Sequence, residues 1–312
     1  MTVFLADRPV AATARGAVAV LGNLDGVHLG HQALMEAAGG AARERGARLA
    51  AVTFDPHPRR LFQPDAEPFL ITTLERRAEL LRAAGAAHVF AIPFTRDTAA
   101  MSPEEFVDEM LIERLGLAGV VVGAEFEFGK ARTGNAAILA QLGAIRGLFV
   151  GALDPVAPED RAEKFSSSDI RAALEAGDVK AAAAVLGRPW DVRGVVQSGE
   201  RRGRTIGFPT ANLDLGALLR PRNGVYAVRV GMEGEGMARP GVANFGRRPT
   251  VGGAGRLLEV HLFDFAEDLY GKRLDVAFVD FLREERKFDG LDALKAQIAA
   301  DSDKARALLA DE

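Results

Sequence analysis

Short apolar runs alternate with longer amphipathic, alanine-rich stretches through the first half of the chain. Ala17 to Leu21 predicts a buried strand, followed by a helix from His31 to Arg45. Leu49 to Phe54 and His88 to Ile92 predict further strands around a helix at Leu74 to Ala84. Pro103 to Leu115 predicts a helix, opened by Ser102 and Glu105 in the S-x-x-E spacing of a capping box. Val120 to Val122 and Phe149 to Leu153 complete the strands, with a helix from Ala136 to Gly147 between them. Strands alternating with helices imply an α/β, doubly wound parallel sheet, which binds ligands at the carboxyl ends of its strands.

The pattern changes after an alanine-rich stretch, Ala172 to Leu186, that predicts one or two helices. From Val192 to Phe281 the chain is rich in Val, Gly and Pro, with strands predicted at Val192–Val196, Val225–Val230, Leu257–Phe263 and Leu274–Phe281. This predicts a small β-barrel closed by a helix from about Leu291 to Leu309. Two domains follow, 1–186 and 187–312, as expected for 312 residues.

Composition narrows the chemistry. A net charge of −4 supplies no general attraction to nucleic acid. The chain has no cysteine, which removes disulfides, thiolate-held zinc and cysteine nucleophiles. No apolar run approaches the roughly 20 residues that span a bilayer, and the amino terminus lacks a secretory pattern. The expectation is a cytoplasmic protein with no membrane or nucleic-acid partner, and a homo-oligomer is left open.

Gly22 to His31 reads G-N-L-D-G-V-H-L-G-H, between the first strand and the first helix. Its glycines and Asn23 let backbone approach a ligand, and the helix start offers amides to an anion. His28 and His31, two of only five histidines, are spaced to face one phosphate together. They could equally be unrelated surface residues. The H-x-G-H arrangement resembles the signature of the nucleotidyltransferase superfamily, which implies transfer of a nucleoside monophosphate, with Gly22, Asn23, Asp25 and Gly30 around ATP. Phe165 to Arg171, F-S-S-S-D-I-R, read alone is a helix N-cap. It resembles the superfamily's distal loop, where Ser167, Ser168 and Arg171 would hold the departing pyrophosphate, with Lys164 where arginine is common and Ser168 where threonine is.

Thr53 to Pro58, T-F-D-P-H-P, and Val121 to Gly129, V-V-G-A-E-F-E-F-G, both follow predicted strands. They resemble the flavin-side loops of bacterial FAD synthetases, which implies flavin contacts at His57, Pro58, Glu125 and Phe126. Glu125 stands where that family has Asp or Asn, and His57 is also a plain loop histidine between two prolines.

Gly194 to Asn212 is a glycine-rich basic loop ending in Pro209-Thr210-Ala211-Asn212. Thr and Asn offer hard oxygens suited to Mg²⁺ carried on a nucleotide. The loop resembles that of riboflavin kinase, and the family's later motifs follow in order: G-V-Y at Gly224, N-F-G-R-R-P-T at Asn244, E-V-H-L-F-D-F at Glu259, D-L-Y-G at Asp268, and F-L-R-E-E-R-K-F with Arg283 and Glu285. The resemblance implies ATP contacts at Gly203 and Arg204, metal and ATP ligation by Thr210 and Asn212, and Glu259 as base. Phe208 would stack on a ring system, and Arg283 and Glu285 would line the flavin pocket. On an alternating strand Glu259 shares a face with Leu257 and His261, where a solvent-facing Glu is also common.

The chain is thus identified as resembling bacterial bifunctional enzymes that phosphorylate riboflavin to FMN and adenylylate FMN to FAD, with ATP as co-substrate and Mg²⁺ as cofactor. Three other readings fit parts of it: a kinase with an inactive or regulatory front half, a flavin-sensing regulator, and a nucleotidyltransferase for another phosphate ester.

Overall fold

The computed structural model describes residues 3–155, 165–197, 208–232, 235–247 and 256–310. By its contacts the chain forms two units, Met1–Glu67 with Thr72–Ser167, and Pro68–Ile71 with Ser168–Glu312.

The first unit is built on a parallel sheet of β1 (Phe4–Leu5), β2 (Val18–Leu21), β3 (Leu49–Asp55), β4 (His88–Pro93), β5 (Gly119–Gly123) and β8 (Phe149–Leu153), with β6 (Glu127–Phe128) and β7 (Gly134–Asn135) pairing separately. The order across the sheet is β1-β4-β3-β2-β5-β8. All four residues of β2 are buried, as a strand covered on both faces requires. Val18 and Val20 pack against α1 (Leu29–Glu44) and α3 (Leu74–Ala83). Ala19 and Leu21 face α4 (Ala136–Arg146) and the helical segment Phe106–Arg114. The chain leaves β2 for β3 on one side, and later places β5 on the other. The carboxyl end of β2 is therefore the topological switch point, where such sheets bind ligands.

The expected capping box is formed: Glu105 N donates to Ser102 Oγ (3.2 Å) and Ser102 N to Glu105 Oε2 (2.7 Å). The helix expected from Pro103 to Leu115 is formed, with a change of winding along it. Only Pro103–Glu105 is α-helical, and Phe106–Arg114 winds as a π-helix whose end bonds Leu115 N to Met110 O, five residues back.

In the second unit, α5 (Ser167–Ala176) begins at the unit boundary and α6 (Val179–Leu186) follows. The sheet is antiparallel, made of β9 (Trp190–Val195), β10 (Ala211–Leu213), β11 (Gly224–Met232), β12 (Arg239–Arg247), β13 (Arg256–Leu262) and β14 (Arg273–Arg283) in the order β10-β13-β12-β11-β14-β9. Register shifts between β11 and β14 mark bulges that bend the sheet. Gln197, just past β9, bridges to Asn212 on β10, so the two outer strands meet and the sheet curls on itself. Two of these strands, β10 and β12, go beyond the four predicted. The terminal helix Leu291–Ala310 covers one face, setting Ala305 and Leu309 among Val225, Ala227, Val242 and Phe263. Trp190, fully buried, packs on Phe278 and donates its indole N–H to Ile71 O (3.0 Å).

Candidate active sites

The first site is the turn between β2 and α1. The helix starts at Leu29, two residues earlier than expected, which puts His28 at the N-cap and His31 in the first turn. Their rings stack, with centroids 3.6 Å apart and planes 23° from parallel. Gly30 makes this contact fit: a Cβ there would lie 3.1 Å from His28 Cε1. Burial of its ring, then the neighbouring His28, then Arg77 hold the His31 imidazole well below its ordinary pKa. His31 is consequently neutral near pH 7 and available as a hydrogen-bond donor without carrying charge.

Asp25, expected around ATP, is buried with its carboxylate turned into the protein. Its Oδ1 accepts from Thr72 N (3.0 Å), Thr72 Oγ1 (3.1 Å) and Arg77 Nη2 (3.3 Å). Arg77 Nη1 also donates to Thr53 Oγ1 (3.1 Å), whose hydroxyl donates to Asn23 O (2.8 Å). Gly26 N donates to Thr72 Oγ1 (3.1 Å). Arg77 and Thr72 escaped sequence reading, although Arg77 lies three residues after Leu74 and four before Leu81, on the helix's inward side. Gly22 and Asn23 occupy the more open side of the turn.

Of the distal loop, Ser167 Oγ donates to Asp25 O (2.9 Å), which joins it to the histidine turn. Ser168 and Arg171 fall in the second unit, where Arg171 Nε donates to Phe69 O (2.9 Å). Lys164 lies outside the described residues. Both flavin-loop candidates leave carboxyl ends of parallel strands, β3 and β5. His57 caps the short helix α2 (Pro58–Phe62), its Nδ1 accepting from Arg59 N (3.1 Å), and Pro58 is the first helical residue. Glu125 is exposed, and Phe126 stacks on Phe128 with centroids 5.6 Å apart.

The second site lies on β13 and its neighbours. The predicted alternation holds: Leu258, Val260 and Leu262 are buried, while Leu257, Glu259 and His261 are half-buried on the other face. Register places Glu259 between Asn212 on β10 and Asn244 on β12. The Oδ1 of Asn212 is buried and has no hydrogen-bond partner among the described residues. An oxygen in that state suits a cation, so the residues present fit Mg²⁺. Thr210 stands two residues before it at the entry to β10. His261 Nδ1 is 2.8 Å from Pro209 O, so it carries the proton and donates, and Phe208 packs edge-on to the same ring at 5.6 Å.

Glu285 Oε1 accepts from Asn244 Nδ2 (3.4 Å) and occupies the space that a Cβ on Gly246 would take, 1.8 Å away. Arg283 is turned to the terminal helix, where it pairs bidentately with buried Asp301 (2.7 Å), itself held by Gln297. Gly203 and Arg204 lie outside the described residues.

Comparison with known proteins joins the two sites. The family described as FAD synthetase matches residues 10–169, and that described as riboflavin kinase matches 186–309. The bifunctional riboflavin kinase/FMN adenylyltransferase of Pseudomonas fluorescens is 42% identical, across 95% of this chain and 94% of its own. The chain belongs to the bifunctional riboflavin kinase/FMN adenylyltransferase family. Members from Escherichia coli K12 and Bacillus subtilis 168 are each 38% identical, across 95% and 92% of this chain and 93% and 91% of theirs. A Streptococcus pneumoniae crystal structure described as a macrolide-efflux protein has a TM-score of 0.83 at 33% identity, with 96% of each chain covered. Among the described residues here, no helix is long and apolar enough to cross a membrane. The bifunctional family's two matched segments carry the histidine turn and the Glu259 face respectively.

Proposed function

We propose that the second unit transfers the γ-phosphoryl group of ATP to riboflavin, and the first transfers AMP from a second ATP to the resulting FMN. The observation that carries this reading is the presence of both sites on one chain whose tandem matches are FAD synthetase and riboflavin kinase.

In the kinase step the ribityl 5′-oxygen attacks the γ-phosphorus, the bond to the β,γ-bridging oxygen breaks, and ADP leaves. Glu259 accepts the hydroxyl proton. Asn212 Oδ1 and the Thr210 hydroxyl would hold Mg²⁺, which when bound neutralises charge on the ATP phosphates. His261 fixes the carbonyl of Pro209 and so the loop that presents both ligands. Glu285, braced by Asn244, lines the flavin side, where Phe208 offers a ring for stacking. Arg283 would support that side through its pair with Asp301.

In the adenylylation step a phosphate oxygen of FMN attacks the α-phosphorus, and pyrophosphate leaves with the α,β-bridging oxygen. The attacking FMN phosphate oxygen is already ionised, so no protein base is needed. Neutral His31 and its stacked neighbour His28 donate hydrogen bonds to the charge developing on the α-phosphate. Ser167, Ser168 and Arg171 hold the leaving group, and the loops bearing His57, Pro58, Glu125 and Phe126 receive the flavin.

Purified protein given riboflavin, ATP and Mg²⁺ should yield both FMN and FAD by chromatography, and FMN plus ATP should yield FAD and pyrophosphate. A preparation making FMN but no FAD would sink the adenylylation half.

A further inference from the structure

We propose that Arg77 is a positioning residue for adenylyl transfer: its buried guanidinium locks the turn between β2 and α1 in the conformation that stacks His28 on His31. This rests on the adenylylation reading above.

Burying a guanidinium is costly unless its donors are spent. Arg77 is 2% exposed, and its donors reach Asp25, Thr53 and Thr72. The hydroxyl protons are fixed by the same network. Thr72 Oγ1 receives Gly26 N and gives its proton to Asp25. Thr53 Oγ1 receives Arg77 Nη1 and gives its proton to Asn23 O. One cation thus grips both ends of the segment Asn23–Gly26.

That segment needs gripping. Leu24 (φ 51°) and Val27 (φ 46°) both adopt left-handed backbone, which branched side chains rarely enter. Such conformations persist when surrounding contacts over-determine them. Since α1 starts two residues past Val27, a relaxed turn would re-aim His28 and His31 together. Arg77 also acts through charge. The groups facing His31 that hold it neutral are His28 and Arg77, besides burial of the ring itself.

The test uses the full chain, with riboflavin phosphorylation as internal control. Arg77→Met should lower kcat for FMN adenylylation roughly ten- to a hundred-fold, with riboflavin phosphorylation within twofold of wild type. The acid limb of its pH–rate profile should move to higher pH, because a positive charge beside His31 is gone. Arg77→Lys should recover part of kcat and keep the limb in place. Adenylylation within twofold of wild type, or a limb that does not move, overturns the inference. If Arg77→Met fails to fold, Arg77→Lys and Thr72→Val decide. Wild-type kcat in both overturns it, and a fivefold loss in either at an unchanged thermal midpoint supports it. Wild-type protein that makes no FAD from FMN would instead defeat the underlying reading.

Discussion

Replacing Gly30 by alanine should separate stability from activity in the first unit. The added methyl would sit 3.1 Å from His28 Cε1 and 3.2 Å from His28 Nδ1. Carbon atoms rest at about 3.5–4.0 Å, so the ring must give way by roughly 0.5 Å. It cannot slide freely, because His31 is stacked on it at 3.6 Å. A misplacement of about 1 Å costs about a hundred-fold in rate, so half that distance costs roughly ten-fold. The backbone pulls the other way: alanine is favoured over glycine inside a helix by up to about 1 kcal/mol, and less in the first turn. The two effects oppose each other, so the expected variant melts close to wild type, makes FAD from FMN about ten-fold more slowly, and phosphorylates riboflavin normally. Steady-state kinetics for both reactions and a thermal melt check this. Wild-type adenylylation in a folded Gly30→Ala protein would show that the two rings need not be held at this contact.

Other outcomes follow from the same geometry. Glu259→Gln keeps the shape of the side chain and removes the base, so riboflavin phosphorylation should fall by about 10²–10⁴ while FMN adenylylation persists; a kinase that keeps its rate excludes Glu259 as base. Asp301→Ala leaves Arg283 without its bidentate partner and should destabilise the second unit by about 2–4 kcal/mol. The chain's one tryptophan, Trp190, lies in that unit and reports the urea midpoint by fluorescence. His31 and His88 both have lowered pKa values in the folded protein. The unfolded chain therefore takes up protons first, and stability should fall as pH drops below about 6.5. Urea midpoints between pH 5 and 8 should show this slope, reduced but not abolished in His31→Gln.

Much of this was legible because the signals were local. The strand–turn–helix around His28 and His31 follows from a buried apolar run, a glycine-rich turn and an amphipathic stretch. The capping box at Ser102 needs only four residues, and the face of Glu259 follows from period-two alternation. What escaped depended on distance in the sequence or on weak local preference. Strand β12 contains Pro240, Gly241 and Gly246, which read as turn, and its partners across the sheet override them. Strand β10 is three residues long and exists by pairing with β13. Arg77 sits in L-E-R-R-A-E-L-L-R, a charged helix of ordinary surface appearance, and only the arrival of Asp25 and Thr53 from other elements makes it an interior residue. The pairing of Arg283 with Asp301 likewise depends on a helix eighteen positions away.

The bridge between Gln197 and Asn212 joins fold and chemistry at one residue. Gln197 N donates to the Asn212 carbonyl (2.9 Å), so the main chain of Asn212 is spent on sewing the sheet shut while its side chain is left over. An open sheet would expose unpaired amides to neighbouring molecules and invite aggregation. Here the suture runs through a residue proposed to hold the metal and ATP, so on that reading a bound nucleotide would hold the seam as a clasp does. On that reading, occupancy of the site and closure of the sheet become one quantity.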